Sequence, residues 1–351
     1  MNTSLFRTHM ISRLFMVRII AICAAIPLLG TSCVHEFPEN RRPLRDITLT
    51  IRHQQEWTQT EMTVTREGAA PTLCRYHLRA YPAGSDLVPV AEFTFFSGDI
   101  SRGDFTVTIQ LSEGDYDLYC WSDYADAASQ IPYFFDSSDF HNIIYSEPYN
   151  GNNELRDAFR GNVTFSVEST LNAEYHQDVE LMLERPFARY EFRATDIRDF
   201  VDREITRGGL SGSDRPLDGP PANIEQRLPS IKSYRVKMIY PGYMPSKFDN
   251  LLNRPVDSAT GMSYDAEIRI LSEDEARLGF DHVMVNGHES SIAVAMEVYD
   301  PDGELIGRTS TINVPTKRGR NTIVRGRFLT SQATGGVGID PSYDGDYNVR
   351  I

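Results

Sequence analysis

Phe105-Thr106-Val107-Thr108-Ile109-Gln110-Leu111 alternates apolar and polar side chains for its whole length. Successive side chains of an extended strand point to opposite faces, so this pattern predicts a strand with one face buried and one in water. The same alternation recurs upstream in Ile47–Ile51 and Tyr76–Tyr81, and downstream in Val163–Val167, Val179–Leu183 and Tyr190–Phe192. It continues through Tyr234–Met238, Ala266–Ile270, Ile292–Val298 and Thr322–Phe328. Val, Ile, Thr and aromatic residues dominate these runs, as suits a pleated, half-buried surface. Ser112-Glu113-Gly114-Asp115 and Asp302-Gly303 supply turn signals between them. Helical patterning is weak apart from a short piece around Asp196–Arg203. Many short strands joined by turns predict an all-β fold of β-sandwiches.

About seven strands precede Leu183 and seven or eight follow it, and roughly 300 residues suit two domains. A boundary near Glu184–Pro186 gives domains at 46–184 and 185–351. Asp126–Arg156 reads as an irregular insertion in the first. Gly208–Pro229, rich in Gly, Pro, Ser and Asp, reads as a long loop in the second.

Ahead of the strands, residues 1–32 contain Arg7, Arg13 and Arg18 and no Asp, Glu or Lys. An apolar run, Ile19–Leu29, follows the third arginine and is too short to span a bilayer. A positive leader, a short apolar stretch and small residues before a break form a signal peptide. The break, Leu28-Leu29-Gly30-Thr31-Ser32-Cys33, resembles the lipobox of bacterial lipoproteins, although Gly30 stands where Leu is usual. Cys33 is thereby expected to be the acylated first residue of the mature chain, carrying palmitate-type acyl groups. Residues 33–45 form a polar tether. Removing three arginines and no acids shifts the net charge from −14 to −17. So acidic a surface disfavours nucleic acid and anionic lipid headgroups as partners.

Of the four cysteines, Cys23 leaves with the leader and Cys33 is the lipid site. Cys74 and Cys120 remain, as one disulfide or as two buried thiols. No metal-ligand spacing, nucleophile elbow or phosphate-binding loop is present, so no catalytic residues, metal or cofactor are assigned. Tyr133, Phe134, Phe135 and Tyr145, with Phe140 and Tyr149, either cover one end of the first sandwich or contact a sugar or partner. Asp300-Pro301-Asp302-Gly303-Glu304, with Asp340, Asp344 and Asp346, reads as ordinary turns rather than a Ca²⁺ loop. Arg41, Arg42, Arg45, Arg52 and Arg66 read as tether residues or processing points.

Several segments together resemble the fimbrillin-like lipoproteins of the Bacteroidales. Gly114-Asp115-Tyr116-Asp117-Leu118-Tyr119-Cys120-Trp121-Ser122-Asp123-Tyr124 is similar to a recurrent strand of that family. So are Asp157-Ala158-Phe159-Arg160-Gly161, Leu183–Phe192, Asn313-Val314-Pro315 and Asn321–Thr330. The resemblance implies two tandem transthyretin-like Greek-key β-sandwich domains and a lipid-anchored protein of the outer membrane, displayed at the cell surface or in a fimbrium. In stalk subunits of the family, an arginine-specific protease removes the N-terminal segment with its first strand. A neighbouring subunit then fills the groove by β-strand addition. Anchor subunits keep the lipid. Here Arg41, Arg42 and Arg45 precede the first strand, and Tyr347–Ile351 looks like a closing strand. Both points favour a non-enzymatic anchor or accessory subunit, with the outer membrane and other fimbrial subunits as partners. The alternative is a surface glycan- or ligand-binding lipoprotein using the Tyr133–Tyr149 aromatics, and a weaker one a hydrolase with an unrecognised carboxylate pair.

Overall fold

The computed structural model describes residues 43–54, 72–169, 176–207, 229–330 and 347–350. In chain order its first strands are β1 (Arg45–His53), β2 (Thr72–Pro82), β3 (Ala91–Ser97), β4 (Phe105–Leu111) and β5 (Gly114–Asp126). Then follow β6 (Phe135–Asp136), β7 (Ile143–Tyr145), β8 (Phe159–Val167) and β9 (Gln177–Leu183). The second half begins with β10 (Phe187–Ala194), helix α1 (Ile197–Thr206), β11 (Arg235–Ile239), β12 (Met244–Asp249), β13 (Arg254–Ala259) and β14 (Ser263–Glu267). It continues with β15 (Arg269–Ile270), β16 (Ala276–Met284), β17 (Glu289–Tyr299), β18 (Leu305–Arg308), β19 (Ile312–Lys317), β20 (Asn321–Gly326) and β21 (Tyr347–Arg350).

In the first half, sheet β4-β1-β9 faces sheet β3-β2-β5-β8 across one apolar core. Ile47, Leu49 and Ile51 of β1 enter it, with Leu78 of β2, Leu118 and Cys120 of β5, and Leu181 and Leu183 of β9. The chain crosses between the two sheets at β1–β2, β3–β4, β4–β5 and β8–β9, the connectivity of a Greek-key sandwich. β1 is the central strand, antiparallel to β4 and parallel to β9.

The second half repeats this plan. β10 is antiparallel to β16 and parallel to β20, as β1 is to β4 and β9. β11 pairs with β14 and β17, and β17 with β19, as β2 pairs with β3 and β5, and β5 with β8. β21 is an addition, lying parallel to β20 at the sheet edge. The piece expected around Asp196–Arg203 is α1, buried through Ile197, Phe200 and Val201. Asp196 does not cap it. Its carboxylate accepts instead from the Thr330 amide and hydroxyl at 2.7 and 2.6 Å, tying the helix start to the segment after β20.

The insertion between β5 and β8 departs from the irregular segment expected. β6 and β7 pair there, and β7 pairs with β12, an insertion of the second half. One strand pair from each half thus makes the four-stranded sheet β13-β12-β7-β6. Leu44–Ile351 is one compact unit.

Candidate functional site

Cys33, the leader, Arg41, Arg42, Arg66, residues 208–228 and the acids at 340, 344 and 346 lie outside the described residues. The remaining candidates, β1 and the aromatic insertion, fall within them.

β1 alternates as its sequence requires. Ile47, Leu49 and Ile51 are fully buried, while Asp46, Thr48, Thr50 and Arg52 lie on the other face. Arg52 pairs with Asp104, just before β4, at 3.2 Å and with Glu180, on the neighbouring strand β9, at 2.6 Å. Both acids raise its pKa above the ordinary arginine value, Glu180 foremost. The pairs are solvent-exposed, so their contribution to stability is small. The Arg52–His53 bond lies at the end of β1, past Ile51, the last residue paired with β4, and is paired with β9 alone.

The aromatic cluster turns inward. Phe135, Phe140 and Tyr145 are buried, and Tyr133 and Phe134 half-buried. Phe135 meets Trp121, Tyr145 and Phe187 at ring-centroid distances of 5.4, 5.7 and 5.5 Å. A ligand stacking on this insertion would therefore meet Tyr133 and Phe134, with Phe135 and Tyr145 behind them. Trp121 belongs to β5 of the first sandwich but points out of its core and into that of the second, against Phe187 and Phe248. Burial of about 200 Å² at roughly 25 cal/mol per Å² makes this one side chain worth on the order of 5 kcal/mol.

Three of the segments carrying the resemblance, Gly114–Tyr124, Asp157–Gly161 and Leu183–Phe192, meet at this junction. Asp123 accepts from Arg75 Nε at 2.8 Å and Nη2 at 2.7 Å, and from Trp121 Nε1 at 3.2 Å. Asp157 accepts from Arg185 Nε at 2.9 Å. Burial pushes the Asp157 carboxyl up, but Arg185 and Arg102 together hold it below its ordinary value. Phe159 lies between the Arg102 and Arg185 guanidinium groups, at 4.4 and 4.3 Å from its ring centre. His53 meets its edge at 5.0 Å. Burial, aided by Arg102, lowers the His53 pKa to about 3. Arg160 donates to the Asn250 carbonyl at 2.7 Å, linking β8 to the end of β12. Gly161 permits β8 and β9 to meet, since a Cβ there would stand 2.3 Å from the Met182 carbonyl.

A second buried polar group, not expected from sequence, sits beneath the insertion. Arg156 lies over the rings of Tyr145 and Tyr149, at 4.7 and 4.2 Å, with Nε 3.4 Å from Asp281. Tyr149 and Tyr240 donate to Asp281, and Tyr190 hydrogen-bonds Tyr240 at 2.6 Å and Tyr264 at 3.1 Å. Burial raises the pKa of all four tyrosines well above 10. The tyrosine hydroxyls and Asp281 bond one another while Arg156 Nε and Nη2 have no hydrogen-bond partner among the described residues, and the arrangement is a structural network. Its members are spread from Tyr149 to Asp281, so no local motif marks them.

Cys74 and Cys120 are buried free thiols. Cys74 lies opposite Tyr124 and Cys120 opposite Leu78, four positions apart along paired strands. Burial pushes both thiols up from their ordinary pKa. Asp300 accepts the amides of Asp302 and Glu304 at 3.0 and 2.8 Å, so its carboxylate closes the β17–β18 turn. Among the described residues, no group of three or more His, Cys, Asp or Glu side chains is placed to hold a metal ion. No described helix is long and apolar enough to cross a membrane.

The profile of a family of unknown function (DUF6562) matches residues 43–351. No curated protein matches. Among solved structures, the chain is similar to the fimbrial anchor protein Mfa2 from Porphyromonas gingivalis: 9% identity, TM-score 0.37, covering 75% of this chain and 82% of that one. It is similar to a fimbrial assembly protein from Parabacteroides distasonis: 10% identity, TM-score 0.38, covering 81% and 91%. The tip fimbrial protein Mfa3 from Porphyromonas gingivalis matches at 9% identity and TM-score 0.34, covering 78% and 81%.

Proposed function

The chain belongs to the family of unknown function DUF6562, and on that premise we propose that it is a non-enzymatic surface lipoprotein, an anchor or accessory subunit of a fimbria. Cys33 carries its acyl groups in the outer membrane, 33–45 is the tether, and 46–184 and 185–351 are the two sandwich domains. The resemblance of the Gly114–Tyr124, Asp157–Gly161 and Leu183–Phe192 segments to fimbrillin-like lipoproteins supports this reading.

The observation that carries it is the position of β1. A stalk subunit must lose its first strand to accept one from a neighbour. In this chain β1 is the middle strand of its sheet, with three fully buried side chains and hydrogen bonds on both sides. Cleavage at Arg41, Arg42 or Arg45 would cut at or before its first residue and leave the groove filled. β21 is likewise occupied, along its own β20.

Mass spectrometry of the protein from outer-membrane fractions tests this. An N-terminus at acylated Cys33 is expected. A non-lipidated start after Arg52 or Arg66 would overturn the anchor role and favour a stalk subunit.

A further inference from the structure

Strand pairing gathers several segments at one end of the first sandwich. Arg45, which opens β1, lies opposite Leu111, which ends β4. The turn at Ser112-Glu113 leads directly into β5, where Tyr116 lies opposite Pro82 at the end of β2. The Ala83 amide donates to the Asp115 carbonyl at 2.9 Å. The β2–β3 connection, 83–90, therefore sits at the end of the sandwich where the chain enters it.

That connection carries Asp86-Leu87-Val88-Pro89-Val90. Leu87 is 85% exposed, Val88 69% and Val90 56%, and Leu44, just before β1, is 60% exposed. Among the described residues, no other four-residue stretch exposes three large apolar side chains. The loop is held at its base. Val90 N donates to the Ala80 carbonyl at 2.8 Å, and Gly84 N to Asp117 at 2.9 Å. His141 joins the Asp86 carbonyl through Nε2 at 2.9 Å and Asp249 through Nδ1 at 3.0 Å. An apolar tip on a fixed base loses little conformational freedom when it is buried.

We propose that Leu87, Val88 and Val90, with Leu44 beside them, insert into the lipid surface that holds the Cys33 acyl chains, so that the first sandwich stands end-on to the membrane. This rests on the lipid-anchor reading above. Chain length selects lipid as the occupant. Ten residues, Val34 to Pro43, separate Cys33 from Leu44. At about 3.5 Å per residue they reach at most about 40 Å, so Leu44 and the end it opens are kept within that distance of the membrane. Charge selects the headgroup. Asp46, Asp86, Glu113, Asp115 and Asp117 outnumber Arg45 at this end and disfavour anionic lipid, so a zwitterionic headgroup is the one that fits.

The test uses the full lipidated chain with Val88→Cys carrying an environment-sensitive fluorophore; the buried Cys74 and Cys120 do not compete for the label. Vesicles of phosphatidylcholine and phosphatidylethanolamine contain brominated acyl chains as quencher. A blue shift and loss of about half the emission are expected at position 88, with neither at a Val256→Cys control. Flotation of the unlabelled chain with the vesicles reports the acyl anchor separately. A chain that floats while its label at 88 stays unquenched overturns the insertion and leaves the anchor standing. A blue shift without quenching, as a protein contact would give, also overturns it. A chain that does not float overturns both.

Discussion

Gly161 has the least room of the described glycines. An alanine there would meet the Met182 carbonyl at 2.3 Å and Leu183 Cδ2 at 2.6 Å. Gly161→Ala should cost about 1–3 kcal/mol in urea unfolding, since backbone cannot yield as a flexible side chain does. Gly98→Ala, with open space around its Cβ, should stay within about 0.5 kcal/mol. The buried histidines set the pH response. Burial holds His53 near pKa 3 and His282 near 4, against an ordinary 6.5. Below about pH 6.5 the unfolded chain takes up protons that the folded chain refuses, so stability is full above that value and falls as pH drops. By pH 4 the loss is on the order of 3 kcal/mol for each. Urea midpoints at pH 7 and pH 4 should show this drop, and His53→Gln and His282→Gln should each reduce it. His141 works the other way, its pKa raised by the Asp86 carbonyl and then Asp249, but it is partly exposed and weighs less. The Trp121–Asp123 and Asp157–Gly161 motifs were legible in the sequence; their partners were not. Arg75, Asn250 and Phe248 are brought to them only by folding.

β1 illustrates the element scale. Leu49→Ala should destabilise the fold by about 2–5 kcal/mol, because Leu49 is fully buried between the sheets. Trypsin should leave the Arg52–His53 bond intact under native conditions and cut it when urea loosens the sheet; rapid native cleavage there would contradict its pairing with β9. Strands of this kind were readable because one face is wet and the other dry. β6 and β7 were not readable. They have two and three residues, and β7 is completed by β12, about 100 positions further on. Among the described residues there are consequently nine strands up to Leu183 and twelve after it, more than alternation alone predicts.

At the scale of the molecule, the two sandwiches repeat one connectivity, yet each depends on the other. Trp121 fills the second core from the first sheet, and the sheet β13-β12-β7-β6 takes a strand pair from each half. Circular dichroism and Trp fluorescence should therefore report one coincident unfolding transition, and two separated transitions would contradict this coupling. The sandwich class was legible from alternation of apolar and polar residues. The interdependence of the two sandwiches was not, because it comes from pairings far apart in the chain.

The mixed sheet also bears on the order in which the chain can fold as it is made. A chain delivered from its N-terminus has β1 to β9 available well before Met244–Ala259 emerge. Until then β7 lacks its neighbour, and Trp121 and Phe135 lack Phe187 and Phe248. An aromatic face is thus left open on an otherwise assembled sandwich until β12 arrives.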